Sequence, residues 1–229
     1  MPRRSARWPP RTPDLSCSGS SRRAVTGSWQ NWCRCSQSIG VAAIGLDAAG
    51  VVFNSAEDRL ECFDSFEANA LAKARYFAAL TGLPCVADDS GLCIEALDDR
   101  PGVRSRRFAS DLGIATHGVS EDEANNQAML DACRDSGRTP PWTAHYACAA
   151  AYVDAMRICV AEGRTDGAII PEPDGVGGFG YDPYFMSTDL HVTFAVASRD
   201  VKSHVSHRGR AFANLLALLR GAQNGTSAR

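Results

Sequence analysis

The chain has 229 residues, a hydrophobic content of 45% and a formal net charge of -2 at pH 7. This length is enough to bury a sizeable core, and the small negative charge argues against a general attraction to nucleic acid. No apolar run approaches the roughly 20 residues that span a bilayer, and nine cysteines without a CxxC pair predict a cytoplasmic protein with reduced thiols and no membrane partner.

Residues 1–40 differ in composition from the rest of the chain. They are rich in Arg, Pro, Ser and Trp, contain a single acidic residue, Asp14, and show neither a helical nor a strand-like hydrophobic period. The sequence therefore predicts no packed element in this region. We expect an atypical, disordered or poorly packed segment at residues 1–39, one domain over residues 40–221 and a tail at residues 222–229.

The ordered pattern begins after this segment. The run GVAAIGL predicts a short strand, and SFEANALAKARYFAALTG predicts a helix that Ser65 caps and Gly82 ends. The next run, LPCVA at residues 83–87, predicts a strand that delivers Asp88 and Asp89 into a loop. Apolar residues at helical spacing form the expected buried face of the helix: Phe66, Ala70, Ala74, Phe77 and Ala78.

The second half of the chain alternates between helices and strands. SEDEANNQAMLDACR opens with a capping box of Ser120 and Glu123 and predicts a helix. TAHYACAAAYV, RICVAEG and TDGAII predict successive strands, the last two joined at Gly163. This mixture indicates an α/β fold with one mixed sheet. The stretch SHRGRAFANLLALLRG predicts a C-terminal helix whose buried face is formed by Phe212, Leu215, Leu216 and Leu219.

Two adjacent carboxylates follow the second predicted strand in the stretch ADDSG. Asp, Ser and Gly are ordinary turn residues, so a polar turn is one interpretation. The other is that a carboxylate at a strand end binds a divalent cation or takes a proton from water. Because successive side chains of an extended chain point to opposite sides, only one of Asp88 and Asp89 is expected to face a cleft.

Lysine is rare in this chain, since Lys73 and Lys202 are the only lysines among 24 basic residues. Lys73 lies on the first predicted helix and Glu61 just before it, an arrangement that also occurs on ordinary solvated helices. Lys202 comes before His207 and Arg208 near the start of the last helix. Cations at a helix N-terminus suit an anion such as phosphate, and a basic surface turn is the alternative.

The stretch GGFGYDP predicts a glycine-rich loop. Consecutive glycines let backbone N–H groups approach a ligand closely. Phe179 and Tyr181 offer an aromatic surface for a base, and Asp182 offers a hydrogen-bond acceptor. The alternative is a tight turn before the strand that begins in PYF.

Taken in order, FEANALAKA, ADDSGL, PGVRSRRFA, GGFGYDP and KSHVSHRG are similar to the motifs of the inosine triphosphate pyrophosphatase family. The resemblance covers about residues 40–221. It implies an elongated mixed sheet flanked by helices, two lobes with a cleft between them, and a homodimer. It also implies Mg²⁺-dependent hydrolysis of ITP, dITP and XTP to the monophosphate and pyrophosphate, which removes these purine nucleotides from the nucleotide pool.

The resemblance also implies roles for particular residues. Asp89, the second aspartate of ADDSG, would be the general base and a metal ligand, and Glu61 would be the other metal ligand. Lys73 would contact phosphate. The remaining substrate contacts would come from the strand end, the glycine-rich loop and the last helices: Ser90, Phe179, Gly180, Tyr181, Asp182, Lys202, His207 and Arg208.

One family motif, a phosphate-binding loop of the type T-x-N-x-x-K after the first strand, has no counterpart in AVTGSWQNWCRCSQSIG. A targeting extension, true divergence and translation out of frame are three open interpretations. Shifting the reading frame of SWQNWCRCSQS permits G-K-L-A-E-L-V-P-L-L, which is similar to the family's first loop and helix, with the frame restored near residues 39–41. If the chain is made as it stands, we expect a sheet without its inner strand and a nucleotide-binding protein with little turnover.

Overall fold

A mixed sheet runs the length of the protein, and helices pack on both of its faces. The structure, a computed structural model, describes residues 15–18, 43–52, 54, 57, 60–114 and 118–224. The strands are β1 (Leu15–Ser18), β2 (Ala43–Gly45), β3 (Cys85–Ile94), β4 (Arg100–Pro101), β5 (Trp142–Val153), β6 (Ile158–Ile169) and β7 (Phe185–Ser187). The α-helices are α1 (Phe66–Thr81), α2 (Phe108–Asp111), α3 (Glu121–Asp135), α4 (Arg199–Val205) and α5 (His207–Asn224).

The described strands follow the order β2-β1-β3-β5-β6-β7, and β4 pairs with the far end of β3. β1 is parallel to β2 and to β3, and the other pairings are antiparallel. β5 and β6 are the longest strands, with 12 residues each, and extend through both lobes. The predicted α/β fold with an elongated mixed sheet is confirmed.

A strand lies at Leu15–Ser18, inside the segment for which no packed element was predicted. It pairs with β3 from Ser16 opposite Cys85 to Ser18 opposite Ala87. The prediction that the sheet lacks this inner strand is therefore wrong. A four-residue strand is too short to show a hydrophobic period, and its position depends on pairing with two neighbours. The rest of the predicted atypical segment lies outside the described residues.

The residues predicted as a turn after the third strand are part of that strand. β3 continues without interruption to Ile94, and its residues Asp88 to Gly91 pair with Ala150 to Ala147 of β5. The predicted loop is wrong because pairing along the whole of β5 outweighs the turn preference of Asp, Ser and Gly.

The opposite edge of β3 changes its neighbour halfway along. β1 pairs with β3 as far as Ala87, and β4 pairs with it at Cys93 and Ile94. The stretch between these two neighbours, residues 88–92, is about 16 Å long at the usual rise of a strand. A 3₁₀ helix at Gly102–Arg107 covers the end of this stretch, where Ser105 Oγ accepts from the Leu92 N–H at 2.8 Å. The remaining part, residues 88–90, is an opening in the edge of the sheet between the two lobes, and we call it the β3 opening.

Two apolar clusters fill one face of the sheet, one in each lobe. In the first lobe α5 packs on β3, β5 and β6, and the residues predicted for its inner face are all buried: Phe212, Leu215, Leu216 and Leu219. In the second lobe α2 and α3 pack over the other halves of the strands, around Leu92, Met129 and Tyr146. On the opposite face, α1 places Ala70 and Ala74 against Ala87 and Ala149.

The predicted helix ends are confirmed with small differences. Ser65 Oγ accepts a hydrogen bond from the backbone N–H of Ala68 at 3.1 Å, and Gly82 ends α1 with a left-handed φ of 69°. Ser120 and Glu123 form both hydrogen bonds of the capping box at the start of α3. The last helix extends to Asn224, beyond its predicted end. The stretches predicted as strands on either side of Gly163 form one continuous strand, β6.

At Gly163, α5 approaches the sheet closely. A Cβ atom at this position would lie 2.1 Å from the carbonyl oxygen of His207 and 2.3 Å from the backbone nitrogen of Ala211. Both are backbone atoms of the first turns of α5, so only a shift of the helix could relieve the clash. A glycine at this point of β6 therefore sets the position of the helix that carries Arg208.

We predict that Gly163→Ala lowers the free energy of unfolding by about 2 kcal/mol, as overpacking at a rigid contact does. Urea denaturation measures the change. Gly45→Ala is the matched control, since no atom of the described residues lies within 4 Å of a Cβ built at Gly45 of β2. Equal stability of Gly163→Ala and the parent protein would contradict this account of the helix position.

Candidate active site

The adjacent aspartates of β3 point to opposite faces of the sheet. Asp89 faces α1, where it contacts Lys73, and Asp88 faces α5, where it contacts Arg208. The alternation predicted for these two carboxylates is therefore confirmed. Both lie at the β3 opening, so one short stretch of strand supplies a carboxylate to each side of the sheet.

Lys73 joins the two carboxylates that were predicted as metal ligands. Its Nζ donates to Glu61 Oε1 at 2.9 Å and to Asp89 Oδ1 at 3.1 Å. The side chain of Lys73 is 2% exposed, and those of Asp89 and Glu61 are 10% and 21% exposed. One ammonium group between two carboxylates leaves a net negative charge, which favours the binding of a further cation.

Two residues that the sequence analysis did not single out hold this cluster in place. Asn69 donates from Nδ2 to Asp89 Oδ2 at 2.9 Å and to the carbonyl oxygen of Phe63 at 3.2 Å, and its Oδ1 accepts from the Phe63 N–H at 3.0 Å. Arg107 donates to the carbonyl oxygen of Glu61 at 2.9 Å. Asn69 lies one helical turn before Lys73, and this spacing in the sequence indicates that the two side chains are neighbours. Arg107 and Glu61 are 46 residues apart, so no local sequence pattern predicts their contact.

Burial and charge act in opposite directions on this cluster. Burial alone would lower the pKa of Lys73, but the carboxylates of Asp89 and Glu61 outweigh it and raise the pKa above its ordinary value. Burial raises the pKa of Asp89, Lys73 lowers it and Glu61 raises it, with a net increase. A carboxylate with a raised pKa accepts a proton more readily than a free aspartate, as a general base must.

We predict that Lys73→Met lowers the free energy of unfolding by about 3 kcal/mol, because it leaves two carboxylates together without their cation. Chemical denaturation in the absence of divalent cations measures this loss. Arg134→Met is the control, since the Arg134 side chain is 51% exposed and its contact with Asp131 lies on the surface. A surface ion pair contributes about 1 kcal/mol or less, so equal losses in the two variants would contradict this account.

Lys202, Asp182 and Phe179 form a second cluster, on the side of α5. Lys202 of α4 donates to Asp182 Oδ2, and the same oxygen accepts from the Phe179 N–H at 2.9 Å. Lys202 Nζ lies 5.1 Å from the centroid of the Phe179 ring, and Arg208 Cζ lies 5.7 Å from it. Phe179 is 53% exposed, so an aromatic ring beside two cations is accessible to a ligand.

His207 is buried beside this cluster. Its ring stacks on Tyr146 with centroids 4.6 Å apart. Its Nδ1 atom has no hydrogen-bond partner among the described residues. Burial, together with the positive charges of Arg208 and Lys202, holds the pKa of His207 well below its ordinary value. The imidazole is therefore neutral near pH 7, and its buried Nδ1 atom is left without a partner among the described residues.

We predict that the protein becomes less stable as the pH is lowered, partly because of His207. The unfolded chain binds a proton at this residue below about pH 6.5, whereas the folded protein does not, so unfolding becomes easier by up to about 1.4 kcal/mol per pH unit. His207→Phe keeps a ring against Tyr146 and should flatten the decline between pH 7 and pH 5 in urea denaturation. His204→Asn, at an exposed histidine of α4, should not. The same decline in His207→Phe and the parent would contradict this origin.

Tyr181 and Gly180 anchor the glycine-rich loop to the second lobe. Tyr181 is buried, and its hydroxyl donates to the carbonyl oxygen of Ser105 at 2.7 Å. The Gly180 N–H donates to Asp122 Oδ2 at 2.8 Å, and Asn126 Nδ2 donates to the Gly180 carbonyl at 3.1 Å. The first two turns of α3 thus hold the loop, by contacts too distant in sequence to predict. Phe179, rather than Tyr181, is the exposed aromatic side chain.

The structure brings the predicted site residues together as two groups along the β3 opening. Glu61, Lys73 and Asp89 lie on the α1 face. On the other face, Ser90 is opposite Cys148 in the strand register and is half-buried. The cluster on that face is completed by residues of the loop and of the last helices: Phe179, Gly180, Asp182, Lys202, His207 and Arg208.

Two features that the described residues lack bear on the remaining predictions. They contain no helix that is long and apolar enough to cross a membrane. They also contain no group of three or more His, Cys, Asp or Glu side chains placed to hold a metal ion. A metal at this site would therefore have two carboxylate ligands from the described residues and would need further ligands from elsewhere.

The fold and the paired clusters define an α/β enzyme with its site between two lobes. Residues 37–218 match the Ham1 family. The chain is 41% identical over 187 residues to a dITP/XTP pyrophosphatase of Ralstonia nicotianae, which covers 80% of this chain and 90% of the relative. It is 42% identical over 180 residues to a dITP/XTP pyrophosphatase of Nocardia farcinica, covering 79% of this chain and 82% of the relative.

Solved structures agree with the sequence comparison. A HAM1 protein from Coxiella burnetii superposes with a TM-score of 0.75 at 30% identity, covering 90% of this chain and 99% of the other. The Ham1 protein of Staphylococcus aureus gives a TM-score of 0.73 at 28% identity, covering 91% of this chain and all of the other. The chain belongs to the Ham1 family, and the family resemblance of its motifs is confirmed.

Proposed function

We propose that the protein hydrolyses dITP, ITP and XTP, which are deaminated or otherwise non-standard purine nucleoside triphosphates, to the monophosphate and pyrophosphate. The observation that carries this proposal is the pairing of Glu61 and Asp89 around Lys73 at one side of the β3 opening. The cationic and aromatic cluster around Phe179 lies at the other side. Relatives that are dITP/XTP pyrophosphatases support this substrate class.

The carboxylate pair fits Mg²⁺. Glu61 Oε1 and Asp89 Oδ1 both lie within 3.1 Å of Lys73 Nζ, so the two carboxylate groups lie close to each other. Mg²⁺ is usually bound through one or two carboxylates together with phosphates and water. When bound, it would neutralise phosphate charge and lower the pKa of a coordinated water. Glu61 and Asp89 would hold it.

Asp89 would accept the proton of the attacking water. Its Oδ2 is fixed by Asn69 and its Oδ1 by Lys73, so the carboxylate is oriented before substrate arrives. Attack of the water oxygen on the α-phosphorus forms one P–O bond, and the bond to the bridging oxygen of the β-phosphate breaks. The water proton passes to Asp89, and pyrophosphate leaves. Lys73 would stabilise negative charge on the phosphates.

The second cluster suits a base with a carbonyl at C6. Phe179 offers a ring for stacking, and His207, Lys202 and Arg208 bring hydrogen-bonding groups beside it. Hypoxanthine and xanthine present a carbonyl oxygen at C6, whereas adenine presents an amine. A site that donates to this oxygen rejects adenine, because its buried donors are then left unpaired. Guanine shares the C6 carbonyl, so its rejection requires another contact.

A second candidate function is nucleotide binding with little turnover. The family's T-x-N-x-x-K phosphate loop has no counterpart in the sequence between β1 and β2. Lost phosphate contacts in that loop would weaken transition-state stabilisation more than recognition of the base. This candidate predicts tight binding of dITP without pyrophosphate release.

We predict that the purified chain with Mg²⁺ releases pyrophosphate from dITP and that Asp89→Asn lowers kcat at least about 100-fold, since it removes the general base. An enzyme-coupled pyrophosphate assay measures this, and dATP should be a much poorer substrate. Asp131→Asn, an exposed aspartate of α3, is the control and should leave kcat unchanged. Release of orthophosphate alone would indicate a general phosphatase, and binding without release would favour the second candidate.

We also propose that the protein is a homodimer, as the family resemblance implies. The β5–β6 hairpin exposes two large apolar side chains, Met156 and Ile158, which are suited to association. Sedimentation velocity should give a species of twice the 24.5 kDa chain mass. A monomer at micromolar concentration would contradict this assembly.

A further inference from the structure

Asp88 has no part in the chemistry proposed above, although it is at least as buried as the proposed general base. Asp88 is 4% exposed and Asp89 is 8% exposed. A buried carboxylate is costly unless it is paired with a cation or hydrogen-bonded. The contacts of Asp88 therefore indicate what it stabilises.

One partner of Asp88 is Arg208, the second residue of α5. Arg208 Nε donates to Asp88 Oδ2 at 3.0 Å, with side chains that are 19% and 4% exposed. The Cys148 thiol lies 4.0 Å from the same oxygen. Burial alone would lower the pKa of Arg208, and Asp88 raises it. The pair joins the catalytic strand to the start of the last helix across 120 residues of sequence.

The geometry of Arg208 leaves part of its guanidinium available. This group has five N–H donors, and Asp88 takes the one on Nε. No other described residue accepts a hydrogen bond from its two Nη atoms. Arg208 Cζ lies 5.7 Å from the centroid of the exposed Phe179 ring, so the available donors lie beside the surface suited to the base.

We propose that Asp88 is a positioning residue that fixes the guanidinium of Arg208 so that its Nη groups meet the nucleotide. This inference rests on the proposed function of the site. The two aspartates of β3 then have separate tasks, with Asp89 acting at the phosphates and Asp88 acting through Arg208. Because they are consecutive residues of one strand, the strand register sets the position of both.

A double-mutant cycle on Asp88 and Arg208 tests the proposal. Asp88→Ala and Arg208→Ala should each raise the KM for dITP about tenfold, the effect of losing one charge-assisted contact, while kcat changes much less. The double variant should have a KM close to that of Arg208→Ala alone, because Asp88 acts only through Arg208. If the increase in KM in the double variant equals the product of the increases in the two single variants, the proposal is overturned.

Two further variants separate positioning from folding. Asp88→Asn keeps an oxygen that can accept from Arg208 Nε, so its KM should be much closer to that of the parent than the KM of Asp88→Ala. Asp189→Ala is the matched control, because it removes the carboxylate that contacts Arg210, two residues further along α5, at 2.9 Å. It should leave KM and kcat unchanged. A loss of thermal stability in Asp88→Ala with no change in KM would overturn the proposal.

Direct titration of dITP onto each variant distinguishes a failure of this inference from a failure of the proposed function. If the parent protein binds dITP but releases no pyrophosphate, the proposed hydrolysis fails, and the same cycle is then measured in Kd. If the parent protein hydrolyses dITP but the two substitutions act independently, only the role of Asp88 fails. If the parent protein does not bind dITP at all, both fail.

Discussion

The site depends on the uninterrupted pairing of β3 with β5, which runs from Cys85 opposite Val153 to Ile94 opposite Ala144. This ladder keeps the chain extended through Asp88 and Asp89, residues that would form a turn if local preference decided. An extended backbone sends consecutive side chains to opposite faces. A single strand therefore places one carboxylate beside α1 and the next beside α5, at the point where the other edge of β3 changes its neighbour.

Buried charge is balanced differently on the two faces. On the α1 face, one lysine is shared by two carboxylates, and the cluster retains negative charge that a metal bound with phosphate would neutralise. On the α5 face, Asp182 and Asp88 each pair with one cation, Lys202 and Arg208. Neutral His207 lies among these cations, and its Nδ1 atom has no partner in the part of the chain that the structure describes. The first face suits a metal and phosphates, and the second suits an uncharged base with hydrogen-bonding edges.

The sequence predicted the parts of this architecture that depend on local signals. The caps of α1 and α3, the inner face of α5 and the alternation of the two aspartates are periodic or short-range features. The strand at Leu15–Ser18 and the continuation of β3 through Gly91 were not predicted, because strand pairing is a long-range interaction. For the same reason, the contacts of Asp122 with Gly180 and of Arg107 with Glu61 had no counterpart in any motif.

The most direct measurement is steady-state pyrophosphate release from dITP with Mg²⁺ by Asp89→Asn and Asp88→Ala, side by side with the parent chain. If each face has its own task, Asp89→Asn loses kcat and still binds dITP, whereas Asp88→Ala keeps most of kcat and raises KM. The same kinetic defect in both variants would contradict the division of the site between the two faces of β3.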